Sequence, residues 1–371
     1  MPLHILIAPD KFKGTLTAHA AAEAIRRGWS SVRPEDGVEL LPMSDGGDGF
    51  GAILSGLLGA QARRLQTVDA AHRPCEAEWW WEPKGKSAII EAARINGLAQ
   101  LPPGKYHPFE LDTFGLGAAL QAAVALGATR CLMGIGGSAT NDAGFGVARA
   151  CGCRFLDGHG REIARWTELE ALARIDPPPR ELFEEFIVAV DVQNPLLGSE
   201  GCARVYGPQK GLRAEDFPVV DTGLGRLAEV VRQQLHLNSA VEPGAGAAGG
   251  LGFGLRSFLG ARLAPGFELF AGYAGLSLRL RSVQLVLTGE GALDAQTLMG
   301  KGVGELAVLC KRCNVPCIGL AGVVPDPARA RELFAQTFAM TPDLTTPERA
   351  KADAAHWLAE AAAQAARTWP R

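Results

Sequence analysis

Along this chain, short apolar runs repeatedly stop at glycine turns that carry acids, lysines or hydroxyls. The fullest case is Gly134-Ile-Gly-Gly-Ser-Ala-Thr-Asn-Asp-Ala-Gly144, entered from Cys131–Met133 and followed by the helix-permissive stretch Phe145–Ala150. Strand, glycine turn and helix in that order aim backbone N–H groups and a positive helix end at one point, where phosphate commonly binds. A turn that only reverses direction has no need of Ser138, Thr140, Asn141 and Asp142 together. Read alone, the same residues also suit a tight strand–helix connection with an Asn or Asp cap.

The pattern constrains the fold. Leu3–Ala8 reads as a buried parallel strand, Thr17–Trp29 as a helix, Val38–Pro42 as a strand, Phe50–Leu58 as a helix and Arg63–Val68 as extended. That βαβαβ order marks a doubly wound α/β layer. The tail repeats it with strands at Val283–Thr288, Cys317–Ala321 and Thr337–Met340. Helices are expected at Val303–Cys310 and Arg349–Ala366. The middle differs: it holds Trp79-Trp-Trp81, strands at Ala88–Glu91 and Phe186–Val190, a helix near Leu116–Leu126 and the loop-rich Asp157–Arg180. The reading is one α/β domain, 1–70 plus 281–371, interrupted by a second α/β domain, 71–280. Three successive tryptophans cannot share one strand face, so one of them is expected to pack between the domains.

With 371 residues the chain is long enough for two cores. Its 46 glycines stand well above the roughly 7% of average usage, and they cluster beside acidic residues. A net charge of -3 and a pI near 6.2 argue against a nucleic-acid role, which normally needs a basic face. The start lacks the basic and long apolar regions of a signal peptide, and no apolar run is long enough to span a membrane. Eight cysteines then fit a reducing cytoplasm. The Cys310-Lys-Arg-Cys313 pair sits at the wrong end of its helix for redox chemistry and lacks a second pair for zinc, so it reads as packing.

The other turns follow one design. Pro9-Asp-Lys-Phe-Lys-Gly14 offers Lys11 and Lys13 as point charges for phosphate oxygens. Ser44-Asp-Gly-Gly-Asp48 sets two carboxylates around paired glycines, a donor type suited to Mg²⁺. Asp191-Val-Gln-Asn194 follows a buried strand and suits metal ligation or general-base work. Tyr206-Gly-Pro-Gln-Lys-Gly211 places Lys210 between glycines. Gly244-Ala-Gly-Ala-Ala-Gly249 matches G-x-G-x-x-G, but no strand precedes it, so it reads as a glycine-rich helix start that either packs tightly or receives phosphate. Thr288-Gly-Glu-Gly-Ala-Leu-Asp-Ala-Gln-Thr297 supplies Gly289, Glu290, Asp294 and Thr297, with Lys301 just beyond. There is no Walker, HExxH or GxSxG motif. Together the turns fit phosphoryl transfer, which asks for charge neutralisation and positioning more than for a reactive nucleophile.

The strings APDKFKGTLTA, PMSDGGDGF, GIGGSATNDAG, DVQNPLLG, VYGPQKG, GAGAAGGLG and LTGEGALDAQT resemble the glycerate kinase type-1 family, in family order and over essentially the whole chain. The resemblance implies ATP- and Mg²⁺-dependent phosphorylation of (R)-glycerate, usually to 2-phosphoglycerate, in glyoxylate and sugar-acid catabolism. It implies a Rossmann-like domain and a second α/β domain with the active site in the cleft between them. The final motif usually has a basic residue and a serine where this chain has Ala292 and Ala295, so nucleotide contacts by those side chains are not expected.

On this reading Asp191 orients or deprotonates the acceptor hydroxyl, with Asp45 as the second choice. Asp45, Asp48 and Asp294 are the Mg²⁺ candidates, and Lys11, Lys13 and Lys210 neutralise phosphoryl and carboxylate charge. Gly136, Gly137, Ser138, Thr140, Asn141, Asn194, Gly289, Glu290, Thr297 and Lys301 are the remaining substrate- or phosphate-binding candidates. The expected partners are small molecules, ATP and glycerate, with no nucleic acid or membrane; monomer and homodimer both stay open. The alternatives are a glycerate 3-kinase, a kinase of another small hydroxy acid, an NAD-dependent hydroxy-acid dehydrogenase and a non-catalytic nucleotide-binding regulator.

Overall fold

The computed structural model describes residues 2–178, 180–298 and 302–370. Among these residues the strands run, in chain order, β1 His4–Ile7, β2 Gly37–Leu40, β3 Gln61–Val68, β4 Pro74–Glu82, β5 Ser87–Glu91, β6 Arg130–Gly134, β7 Arg154–Asp157, β8 Leu172–Asp176, β9 Glu185–Val190, β10 Arg262–Pro265, β11 Leu285–Ala292, β12 Cys317–Val323 and β13 Gln336–Thr341. The chain divides into two compact units, one of residues 1–45 and 267–371, the other of residues 46–266.

The first unit is built on a parallel sheet of order β13-β12-β11-β1-β2. Its strands are short apolar runs, as expected where helices cover a parallel sheet on both faces. Ile5, Ile7, Leu285, Leu287, Ile318 and Leu320 form its buried centre together with Trp29. The helices Ala18–Val32 and Ala354–Thr368 pack against each other, with the Ala359 carbonyl where a Cβ on Gly28 would lie. The C-terminal segment expected as one helix is two, Pro347–Ala352 and Ala354–Thr368. Asp353 leaves helical geometry between them (φ -138°, ψ 60°) and caps the second by accepting from His356 N.

The second unit holds a six-stranded sheet of order β10-β9-β6-β5-β4-β3 and a small antiparallel pair, β7-β8. The sheet is parallel from β10 to β5, while β4 and β3 run antiparallel. The division falls at 45/46 and 266/267, whereas the sequence pattern predicts crossings near 70 and 280. At the first crossing the cause is β3: expected as the third strand of the first sheet, it pairs with β4 over its whole length. The tryptophans alternate as the pleat requires, with Trp79 and Trp81 in the core of this unit. Trp80 turns to the other face and is covered within the same unit by the helix Phe50–Leu58, where it leaves Gly51 no room for a side chain.

All eight cysteines are free, and burial pushes the Cys151 and Cys153 thiols up to about 12. Cys310 is buried in the helix Val303–Arg312, with Cys313 just past its end. No helix among the described residues is long and apolar enough to cross a membrane.

Candidate active site

In each unit the polar turns gather at the carboxyl ends of the parallel strands, where open α/β sheets bind ligands. In the first unit β1 and β11 set the frame. Ala8 N donates to Leu287 O (2.8 Å), Asp10 N to Gly289 O (2.9 Å) and Met43 N to Pro9 O (2.9 Å), which draws the three strand ends together. Gly289 is itself buried against Leu320, so it supports the turn from within. Asp10 and Asp45 are 8% and 9% exposed. A side-chain atom on Gly302, at φ 52°, would lie 3.5 Å from Asp45 Oδ2 and 3.8 Å from Asp10 Oδ2. Lys11 is half-buried and Lys13 exposed in the same turn. Lys301 lies outside the described residues.

Glu290 stands beside these acids and accepts a hydrogen bond from Thr297 Oγ1 (2.7 Å). Burial first, then the carboxylates of Asp10, Asp45 and Asp294, push its pKa up to about 7 against the Thr297 bond. Glu305, in the first turn of the 303–312 helix, is likewise pushed up to about 7 by burial, Glu268 and Asp45. Thr297 also meets the Ala292 carbonyl (3.3 Å), so the departure at Ala292 leaves a backbone contact in place. Crowded carboxylates with raised pKa values form a site that gains from positive charge. Among the described residues no three His, Cys, Asp or Glu side chains converge as a metal-ligand group.

In the second unit the turn after β6 is pinned on several sides. Gly136 N donates to Gly46 O (3.1 Å), and a Cβ on Gly136 would lie 2.7 Å from the Gly47 Cα. A Cβ on Gly137, at φ 80°, would lie 2.5 Å from Asp48 Oδ1. The turns at 46–48 and 134–137 thus pack back to back, and only residues without side chains allow that approach. Ser138 Oγ meets Thr140 Oγ1 at 2.9 Å and accepts from Asn96 Nδ2 at 3.4 Å. Asn141 is 0% exposed with both carboxamide atoms lacking a hydrogen-bond partner, and Asn96 Oδ1 lacks one as well.

Asp142, the fourth polar residue of this turn, is fully buried and faces inward. Its Oδ2 accepts from Thr113 N (3.0 Å), Thr113 Oγ1 (2.7 Å) and Gly146 N (2.9 Å). Thr113 Oγ1 accepts from Val147 N (2.9 Å), so acid and threonine together cap the helix Phe145–Ala150. Burial, with Asp112 in support, pushes the Asp142 carboxyl up to about 6. Lys210 is also buried, and its Nζ donates to Thr140 O (2.7 Å). Burial brings its pKa down to about 8, opposed by Cys202 and Asp142.

Asp191 stands half-buried just past β9. Asn194 holds its own loop, with Nδ2 donating to Glu200 O (2.8 Å) and Oδ1 accepting from Tyr206 Oη (2.6 Å). The glycines at 244–250 serve backbone contact: Gly249, at φ 71°, faces the Thr140 carbonyl, and Ala143 N donates to Gly249 O (3.1 Å). Of the two readings of that segment, tight packing is the one these contacts support.

A family model described as "Glycerate kinase family" matches residues 5–370. The chain belongs to the glycerate kinase family. A glycerate kinase from Halalkalibacterium halodurans is 40% identical over 322 residues, covering 86% of this chain and 85% of the relative. The glycerate 2-kinase of Escherichia coli K12 is 37% identical, covering 87% and 86%. A solved structure from Salmonella typhimurium LT2, described as a candidate glycerate kinase 2, superposes with a TM-score of 0.80 at 33% identity, covering 99% of this chain and 98% of that one. The mixed α/β fold is therefore that of a family of phosphotransferases. Sequence reasoning passed over Glu91, Asn96, Thr113, Glu268 and Glu305. Only Glu91 carried a local signal, an acid closing the apolar run Ala88–Ile90.

Proposed function

We propose that this chain transfers the γ-phosphoryl group of ATP to the 2-hydroxyl of (R)-glycerate, giving 2-phosphoglycerate and ADP in the cytoplasm. Membership of the glycerate kinase family makes it an ATP-dependent glycerate phosphotransferase, and the name of the Escherichia coli relative supports the 2-position. The observation that carries the reading is the carboxylate group of Glu290, Asp10, Asp45 and Asp294: burial first, and then the neighbouring carboxylates, raise Glu290 to about 7. A hard divalent cation bound with ATP would offset that negative charge. Mg²⁺ keeps several waters and takes one or two carboxylates plus phosphate oxygens. The all-oxygen donor set fits it without a cage of three protein ligands.

Asp45 and Asp294 would hold Mg²⁺ directly and Asp48 through water, and the bound ion would spread the charge of the β- and γ-phosphates. Asp191 accepts the proton of the acceptor hydroxyl as that oxygen bonds to the γ-phosphorus. The bond from phosphorus to the β–γ bridging oxygen breaks, and ADP leaves with the electron pair. Lys11 and Lys13 meet phosphate oxygens, Thr297 orients Glu290, and Lys210 holds the Thr140 carbonyl while adding positive charge behind the Gly136–Asn141 turn. The free cysteines fit a reducing compartment.

The test is product formation. The protein is incubated with ATP, Mg²⁺ and (R)-glycerate, and enolase is then added alone. Immediate phosphoenolpyruvate identifies the 2-phosphate. A requirement for phosphoglycerate mutase identifies the 3-phosphate, and absence of glycerate-dependent ADP removes the kinase reading.

A further inference from the structure

The carboxyl end of β5 holds an acid that none of these roles uses. Glu91 closes an apolar strand with its side chain only 7% exposed. Its Oε1 accepts from Gly49 N (3.0 Å) and its Oε2 from Gly51 N (3.1 Å). Those N–H groups open the helix Phe50–Leu58, whose N-cap is Gly49 in the left-handed conformation, φ 92°, with no side chain to cap it. A carboxylate from another strand therefore satisfies the donors that the first turn leaves open.

Glu91 is held from its other side as well. Arg94 Nε lies 3.6 Å from Oε2 and Arg94 Nη1 lies 3.2 Å from Glu78 Oε1. The Arg94 guanidinium sits 4.9 Å from the centre of the Trp80 ring, which fills the space beside Gly51. The strand end is tied to the polar turn too: Glu91 is the register partner of Gly134, and Ala92 N donates to Gly134 O (2.9 Å). One short stretch thus fixes both the start of the 50–58 helix and the root of the 134–144 turn. The Gly46–Asp48 turn hangs from the first and packs on the second.

We propose that Glu91 is a positioning residue for phosphoryl transfer, acting through the first turn of the 50–58 helix to set Gly46–Asp48 against Gly136 and Gly137. The proposal rests on the reading that this chain phosphorylates glycerate and that Asp48 serves that reaction. Both acceptor oxygens are needed. A glutamine has the same shape but turns an NH₂ group towards one of the two N–H donors, so Glu91→Gln releases either Gly49 or Gly51.

The experiment compares wild type, E91Q, D48N and the double variant. It reads kcat, the KM for ATP and for glycerate, and thermal unfolding. Displacement of a reacting group by about 1 Å costs on the order of 10²-fold in rate. E91Q is therefore expected to stay folded and lose about 10- to 100-fold in kcat, with the KM for ATP within about twofold of wild type. The double variant is expected to be no slower than D48N, since both lesions strike one turn. A kcat within about twofold of wild type overturns the proposal, as do E91Q and D48N effects that multiply. Should E91Q fail to fold, amide exchange in the wild type decides: protected Gly49 and Gly51 N–H groups support the clamp, and loop-like exchange removes it. A wild type without glycerate-dependent ADP release removes the functional reading and the positioning role with it. An active wild type with an unaffected E91Q removes only the role of Glu91.

Discussion

Asp142→Asn isolates the buried acid at the heart of the 134–144 turn. In the folded chain burial and Asp112 push Asp142 from an ordinary 3.8 up to about 6. The fold therefore favours the protonated acid: the stability it adds is complete below pH 3.8 and is lost as pH rises through 6. The full loss is about 3 kcal/mol, from roughly two pKa units at about 1.4 kcal/mol each. Integrating over the accessible range, about 1.6 kcal/mol is already gone at pH 5, and a further 1.4 kcal/mol or so disappears by pH 7.5. Asparagine does not titrate, so the stability of D142N minus that of wild type is expected to rise by about 1.4 kcal/mol between pH 5 and pH 7.5.

The assay is urea unfolding of both proteins across that range, followed by fluorescence of the tryptophans at 79–81 and 166. The tryptophans at 29, 357 and 369 belong to the other unit. Taking the difference cancels the groups that do not interact with Asp142, which leaves its neighbours Asp112 and Lys210. The upper limit stays below the Lys210 transition near 8. A difference that is flat with pH, or that falls, would refute the account of Asp142 as an inward-facing acid held against its own charge.

Asp191→Asn is expected to lower kcat at least about 10²-fold with an unchanged melting temperature, as removal of a general base does; near-normal turnover in steady-state assays would take that role from Asp191. Gly249→Ala combines a left-handed backbone with a Cβ aimed at the Thr140 carbonyl. Its expected cost is about 3 kcal/mol, read as a melting temperature lower by roughly 6–12 °C. Lys210→Met removes a buried amine whose pKa lies near 8 in the fold against 10.5 outside it. Wild-type stability should rise with pH across that window while that of K210M does not, so urea midpoints of the two chains should separate between pH 8 and pH 10.

What was legible in the sequence is local. The helix Phe50–Leu58 and the strand ends before Asp10, Gly134 and Asp191 follow from apolar runs that stop at glycine or acid, and the structure has them there. Partners distant along the chain were not legible. Arg63–Val68 reads as a strand from its composition, but nothing within it says that it pairs with β4 instead of joining the first sheet. Asp142 reads as a ligand group because the turn around it is polar. Its actual partner, Thr113, is 29 residues away in a loop with no motif. Asn194 likewise has partners that no local pattern shows: Glu200 and Tyr206 tie it into its own loop.

These long-range partners change how an anion can be held. A helix N-terminus is worth about 0.3–1 kcal/mol to an exposed anion, but three of the starts beside the polar turns carry an acid of their own. Glu91 occupies that of the 50–58 helix, Asp142 that of the 145–150 helix, and Glu305 accepts from Gly302 at that of the 303–312 helix. A phosphate arriving at any of them meets a carboxylate before it meets free N–H groups. On the proposed reading the glycines serve close backbone approach, and neutralisation of the triphosphate would fall to Lys11, Lys13, Lys210 and a cation bound with ATP. Mg²⁺ should accordingly govern binding itself as well as turnover. In calorimetric titrations ATP with EDTA is expected to bind at least about tenfold more weakly than Mg·ATP, a difference of about 1.4 kcal/mol. Equal affinities would mean that backbone N–H groups and lysines suffice, and that the acids at the helix starts do not oppose the anion.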